Sequence, residues 1–205
     1  MNTNNFLFIQ EGDSIVQQEL TKNVVSFSVE KEQSLSLIYL LLGGKLDLTV
    51  DLKEEGASCD IKVLYLAAQD ELIDINIKTN HIKGHTTSSQ VIKGIATHMT
   101  KVHFHGKIYI APDAQKSDGY QNHRALLLSD GAEIQSIPEL EIYADDVKCA
   151  HGSATGPLEK EALFYLMSRG ISEKKAKKIL LHSFVNDIIP AIHQSVCDEW
   201  IEQNV

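Results

Sequence analysis

A chain of 205 residues, 43% hydrophobic and 23% charged, can bury one sizeable core, with room for a small helical unit appended to it. Its 28 acidic against 19 basic residues, a formal charge of -9, oppose counterion-release binding to nucleic acid or to anionic lipid, so proteins or small ions are the expected partners. Three cysteines, Cys59, Cys149 and Cys197, are too few and too scattered for a disulfide framework, and they are expected to be reduced.

The opening "MNTNNFLFIQEGDS" has no basic n-region, and the most apolar run, "LSLIYLLLGG", stops far short of a membrane span, so a cytosolic, membrane-free protein is expected. From about Asn23 to Cys149 apolar residues recur with period two, the pattern of strands with one buried face. In "KLDLTVDL" this turns Leu46, Leu48, Val50 and Leu52 inward; in "LIDINIK" Ile73, Ile75 and Ile77; in "KVHFH" Val102 and Phe104. "ELEIYADDVKC" continues with Leu140, Ile142, Val147 and Cys149, and "RALLLSDGAEI" reads as a core strand at Leu126 to Leu128. Turn signals such as "EEGAS", "SDGYQN" and "SDGA" separate the pieces. A sandwich and a β-helix both fit, since no strict repeat is visible.

At Gly156 the period changes. In "GPLEKEALFYLMSRG", Pro157 stands where a first helical residue belongs, Leu158, Ala162 and Leu166 share a face, and Gly170 supplies the stop. Ser172 is placed to cap "EKKAKKILLHSFVNDII", with Ala176, Ile179, Leu180, Phe184 and Ile188 as the apolar stripe and four lysines (174, 175, 177 and 178) outside. Pro190 breaks that run, and Ile192, Val196 and Trp200 predict a third helix. The layout is a β region over 1–155 and a helical region over 156–205, whose apolar stripes need either the β region or a partner to cover them.

The chain contains no P-loop, no dinucleotide fingerprint, no nucleophile elbow and no H-E-x-x-H, which excludes nucleotide binding by those motifs and two hydrolase classes. Histidine and cysteine remain. On a strand, His103 and His105 project from one face about 7 Å apart and could chelate a metal with a third ligand from elsewhere; the plainer reading is a solvated or hydrogen-bonded polar face. "KCAH" sets Cys149 and His151 on one face, a soft thiolate beside an imidazole, suited to zinc, copper(I) or an iron-sulfur cluster. Its plainer reading is a packed cysteine beside a satisfied histidine, and Cys59 and Cys197 read as buried fillers. His81 and His85, in "NHIKGH", read as loop residues without a role, and the lysine face of the second helix as solvated or as a docking patch for an acidic partner.

The stretch "GKIYIAPDAQKSDGYQNHRALLLSDGAEIQSIPELEIYADDVKCAHGSATGPLEKEALFYLMSRGIS", residues 106–172, resembles the SufB/SufD family of iron-sulfur cluster assembly proteins, the D-type more than the B-type. "PELEIYADDVKCAHG" and "ALFYLMSRGI" are its most specific parts, and the resemblance runs from residue 84, with "HTTSSQVIKG", to about 190. It implies a mainly β fold, a right-handed parallel β-helix (a single-stranded solenoid), followed by the C-terminal α-helical region. It also implies pairing through that core with a SufB-type subunit or with a second copy, and docking of a cytosolic SufC-type ABC ATPase on the helices. Sulfur would arrive as persulfide from a cysteine desulfurase, and a transient iron-sulfur cluster would form at the pairing interface.

By that resemblance His151 and Cys149 match the histidine and cysteine of the D-type "CSHG" motif, at the subunit interface. Gly152 stands where the B-type carries a glutamate, so that carboxylate ligand is missing. His123, in "YQNHR", replaces the asparagine of the D-type "YQSNR", at the position of an essential B-type cysteine. His123, His151 and Cys149 could therefore converge on one metal site; the plainer reading is that His123 packs or hydrogen-bonds. Family members carry a longer N-terminal region, so the chain is read as a compact form in which persulfide acceptance is in doubt. The expected function is a scaffold that binds and does not turn over substrate. The competing classes are an interaction subunit that only anchors or stimulates the ATPase, and a small metal enzyme built on His103 and His105.

Overall fold

A strand with one apolar face must lie on a sheet and cover that face, and a chain made of many such strands has few ways of doing so. The computed structural model describes residues 6–11, 14–19, 24–188 and 194–205, with side chains described from residue 24 onward. Its strands are β1 (Phe6–Glu11), β2 (Ser14–Glu19), β3 (Val24–Val29), β4 (Ser34–Leu41), β5 (Gly44–Leu52), β6 (Ser58–Ala67), β7 (Leu72–His81), β8 (Thr87–Ala96), β9 (Lys101–Ile110), β10 (Asp118–Leu127), β11 (Glu133–Ile142) and β12 (Lys148–Gly156). From β4 on, the even strands stack in parallel into one sheet, which β1 and β2 extend antiparallel; the odd strands from β3 stack in parallel into a second. From β3 on, each strand thus pairs with the one two places along, and the chain crosses between sheets at every turn. This is a parallel β-solenoid, and the sandwich alternative falls.

The register shows why no repeat is visible in the sequence. Asp47 pairs with Asn76, a step of 29 residues; Gln90 with Gln121, a step of 31; His123 with Ser153, a step of 30. The slack sits in the turns, which pass through the left-handed region at Gln69, Asp70, His85, His98 and Lys116. On the outer face, Asn76 donates to Asp47 at 2.9 Å and Asn80 to Asp51 at 2.7 Å, tying one rung to the next.

Every residue read as inward from β5, β7 and β9 is inward: Leu46, Leu48, Val50, Leu52, Ile73, Ile75, Ile77, Val102 and Phe104 are at most 2% exposed. Cys59 fills the same core, and burial pushes its thiol up to about 12. Toward the C-terminal rungs the filling turns polar, with Thr79, His81, Ser88, Gln90, Gln121 and His123 buried. Two glycines make room for large side chains there. A Cβ on Gly94 would lie 1.8 Å from Tyr65 Cζ, and one on Gly106 2.3 Å from Gln121 Nε2.

Three helices follow: α1 (Lys160–Ser168), α2 (Glu173–Val185) and α3 (Gln194–Asn204). The outer face of the even-strand sheet, Ile38, Leu40, Leu64, Leu66 and Ile95, meets Leu181 and Val185 of α2, then Ile188, and Cys197, Trp200 and Ile201 of α3. Cys197 is a buried filler, as expected. Lys93 pins this packing: its ammonium donates to the Phe184 carbonyl at 2.8 Å and to Asp187 at 2.6 Å. The helix details differ from the sequence expectation in three ways. β12 runs on to Gly156, so α1 starts at Lys160, three residues after Pro157. Ser172 stands at the N-cap of α2 without a side-chain capping bond. Ala176, Leu181 and Val185 are the buried residues of α2, while Ile179 is 39% exposed, because the stripe is rotated by about one residue. Gly170, at φ +84°, ends α1 as expected; Pro190 and Ile192 lie outside the described residues.

Candidate functional site

Parallel pairing carries the inward parity of β10 onto β12. Gly119, Gln121 and His123 pair with Cys149, His151 and Ser153, so these three side chains share the lumen face. β12 is the last strand of its sheet and β11 the last of the other, so the solenoid ends on this rung with two strand edges. Cys149 is half-buried against Ile108, Ile110, Ala114 and Ala144. A Cβ on Gly119 would come to 3.4 Å from its sulfur, so the glycine leaves space under the thiol. Burial holds the thiol above its ordinary range, opposed by a hydrogen bond from the Gly119 backbone. The His151 side chain is exposed and has no hydrogen bond or ion pair among the described residues.

His123, expected to join them, lies one rung inside. It is fully buried, with Nε2 hydrogen-bonded to the Tyr65 hydroxyl at 3.0 Å and Nδ1 to Ser136 Oγ at 2.9 Å, and its ring packs on Phe104 at 4.7 Å between centroids. Burial lowers its pKa to about 4, so the ring is neutral. To ligate a metal it would have to release Tyr65 or Ser136. Ser153 bridges the two levels, donating to Ser136 at 2.9 Å and reaching His123 Nδ1 at 3.5 Å. The structure therefore brings Cys149 and His151 to one face and keeps His123 behind them. Among the described residues no group of three or more His, Cys, Asp or Glu is placed to hold a metal ion. Thiol and imidazole are a chemically suitable pair for iron, but further ligands would have to come from sulfide or from another chain.

His103 and His105 do lie on one face, the outer face of the odd-strand sheet, turned away from the lumen. His105 is hydrogen-bonded to Glu139 at 2.9 Å, and Lys107 reaches the same carboxylate at 2.8 Å and also Glu141. Those bonds, from Lys107 first and then His105, hold the Glu139 carboxyl below its usual range. An ion network accounts for His105. His81, read as a loop residue, is instead the buried last residue of β7, with Thr86 and Ser88 each at 2.8 Å from a ring nitrogen. Extending the inward series Ile73, Ile75, Ile77 by two more steps would have found it. His85 is in a turn, at φ +58°.

The second candidate surface is helical. No residue of α1 is buried, and Phe164, Tyr165 and Met167 are 73%, 57% and 42% exposed. A groove of about 440 Å³ runs beside it, lined by Arg124, Leu126, Pro157, Leu158, Leu180 and Phe184 among others. Among the described residues no helix is long and apolar enough to cross a membrane.

Comparison with known proteins adds the context. Residues 12–184 match the family model "SUF system FeS cluster assembly, SufBD core domain", which reaches well upstream of the segment recognisable by motif. The chain is 34% identical over 168 residues to the iron-sulfur cluster assembly protein SufD of Escherichia coli, an alignment covering 80% of this chain and 39% of that protein. It is 34% identical over 167 residues to an iron-sulfur cluster assembly SufBD family protein of Synechocystis, covering 79% and 36%. It is 32% identical over 166 residues to the chloroplastic protein ABCI7 of Arabidopsis thaliana, covering 78% and 34%. The chain thus spans less than two fifths of the length of these relatives. With a parallel β-solenoid, a Cys-x-His pair on its last rung and this match over most of its length, the chain belongs to the SufBD core-domain family of the SUF iron-sulfur cluster assembly system.

Proposed function

We propose that this chain is a D-type scaffold subunit, one half of a site on which iron and sulfide are assembled into a cluster before transfer. The observation that carries the reading is the placement of Cys149 and His151 on the lumen face of β12, where the solenoid ends in open strand edges. A second subunit, SufB-type or a second copy, would meet that end and complete the ligand set. Exposed Ile137, Ile142 and Tyr143 on and beside β11 support burial of this end in a partner. Iron and sulfide are cargo here: the thiolate and imidazole bind them, and no covalent turnover is assigned to the chain. His123 would act from behind, through Ser153, unless it exchanges a hydrogen bond for a metal. The sulfur would reach the site from a desulfurase, and the setting is the cytoplasm.

α1 is the proposed docking element for the SufC-type ATPase, because it presents two aromatic rings and a methionine to solvent while α2 and α3 are held on the sheet. Since Cys149 and His151 are only two ligands, the alternative of a subunit that anchors the ATPase without holding a cluster has an observation of its own. Anaerobic reconstitution with ferrous iron and sulfide, in the presence of B-type and ATPase subunits, separates the two. Visible charge-transfer absorption that disappears in Cys149→Ala and His151→Ala supports the scaffold. Equal absorption in the double variant leaves only the anchoring role.

A further inference from the structure

The polar column inside the last rungs has a direction, set by one backbone carbonyl. Lys107 O can only accept, and Gln90 Nε2 donates to it at 3.4 Å and to Thr79 Oγ1 at 2.8 Å. Gln90 Oε1 is then the acceptor for Gln121 Nε2 at 2.7 Å. Exchanging oxygen and nitrogen on Gln121 would set two acceptor oxygens against each other at that separation, so the orientation follows from the network. Gln121 Oε1 is left as the end of the column. It is sealed from solvent and has no hydrogen-bond partner; Tyr39 Oη and Asn80 Oδ1 are the other such atoms among the described residues.

Buried acceptors are seldom left without a donor. The neighbour of Gln121 on the open side is His151: the two are register partners on parallel strands, on the same face and about 4.8 Å apart along the stack. The imidazole is exposed and has two ring nitrogens and no partner of its own. Gly106 is the reason the amide can occupy this place, since a Cβ there would collide with Gln121 Nε2 at 2.3 Å and Phe104 Cζ at 2.5 Å.

We propose that Gln121 is a positioning residue for His151: its Oε1 accepts one ring N–H of the inward-turned imidazole, fixes the tautomer, and holds the other nitrogen's lone pair toward the open end. The amide thereby plays the part that a carboxylate or carbonyl plays behind many metal-bound histidines. For its consequence in assembly the proposal rests on the reading of His151 as a ligand, but the hydrogen bond itself does not.

The test is long-range proton–nitrogen correlation on the full chain labelled with 15N-histidine, at a pH where His151 is neutral. The wild type is expected to show one dominant His151 tautomer, and Gln121→Met the mixture of a free imidazole, with the His81 signals unmoved as the control for an intact lumen. A free-imidazole mixture in the wild type overturns the proposal whether or not the variant folds, as does an unchanged dominant tautomer in a folded Gln121→Met. In anaerobic reconstitution, Gln121→Met is expected to weaken iron retention about 10-fold. If His151→Ala retains iron fully while the tautomer result stands, the ligand reading fails and the positioning does not.

Discussion

His123 and His151 belong to neighbouring strands of one sheet and face the same lumen, but one is closed in by the rung above it and the other has no rung above it. The enclosed ring has both nitrogens occupied, is kept neutral by burial and contributes to holding the rungs together. The ring at the end is exposed and has only the hydrogen bond proposed to Gln121, so it contributes less to the fold. In a solenoid, position along the stack therefore separates enclosed from accessible histidines, and residue type does not.

The widest gap between the two regions is expected from alanine. His123→Ala removes a packed ring and strands the Tyr65 hydroxyl, and should cost about 3 kcal/mol in urea unfolding, whereas His151→Ala removes only the hydrogen bond proposed to Gln121 and should cost about 1 kcal/mol. Equal losses would break the contrast. Acid is the next lever. His81 and His123 both have pKa values lowered to about 4, so the unfolded chain takes up protons below about pH 6.5 while the folded chain does not. Stability should be full above that pH and fall toward pH 4, by about 2 kcal/mol per histidine at pH 5. Denaturation series at pH 7.5 and 5 measure this, and His81→Asn should flatten the fall if the variant folds.

A smaller effect is expected where the helices meet the sheet. Lys93→Met removes the bonds to Asp187 and the Phe184 carbonyl, and should cost about 1 kcal/mol, seen as faster amide exchange at the end of α2 with the solenoid strands unchanged. The smallest change in stability belongs to α1. Phe164→Asp should leave the melt within about 0.5 kcal/mol of wild type yet abolish the proposed capture of a SufC-type ATPase subunit, and capture retained by the variant would move the docking surface elsewhere.

The inward faces of β5, β7 and β9 were legible because apolar and polar residues alternate there, and the helices because their period is different. Solenoid and sandwich were not separable by pattern, since turns of unequal length blur the repeat while the strand register holds. The rotated stripe of α2 reflects tertiary packing on Leu64 and Ile95, which helical periodicity alone does not contain. Cys149 and His151 were legible as a spacing. The role of Gln121 was not, because an uncharged amide has meaning only through its partners, here Gln90, 31 residues earlier, whose own orientation is set by a carbonyl on another strand.

The unequal turns have one more consequence. Corners can absorb an added or lost residue, but strands cannot, since a shift of one inverts every later side chain of that strand. Deleting a single residue early in β10 would bring Arg124 into the lumen in place of His123 and turn the imidazole to the outer face. Length variation among relatives should therefore collect at the corners, and a frame slip within a rung should be as damaging as loss of the rung.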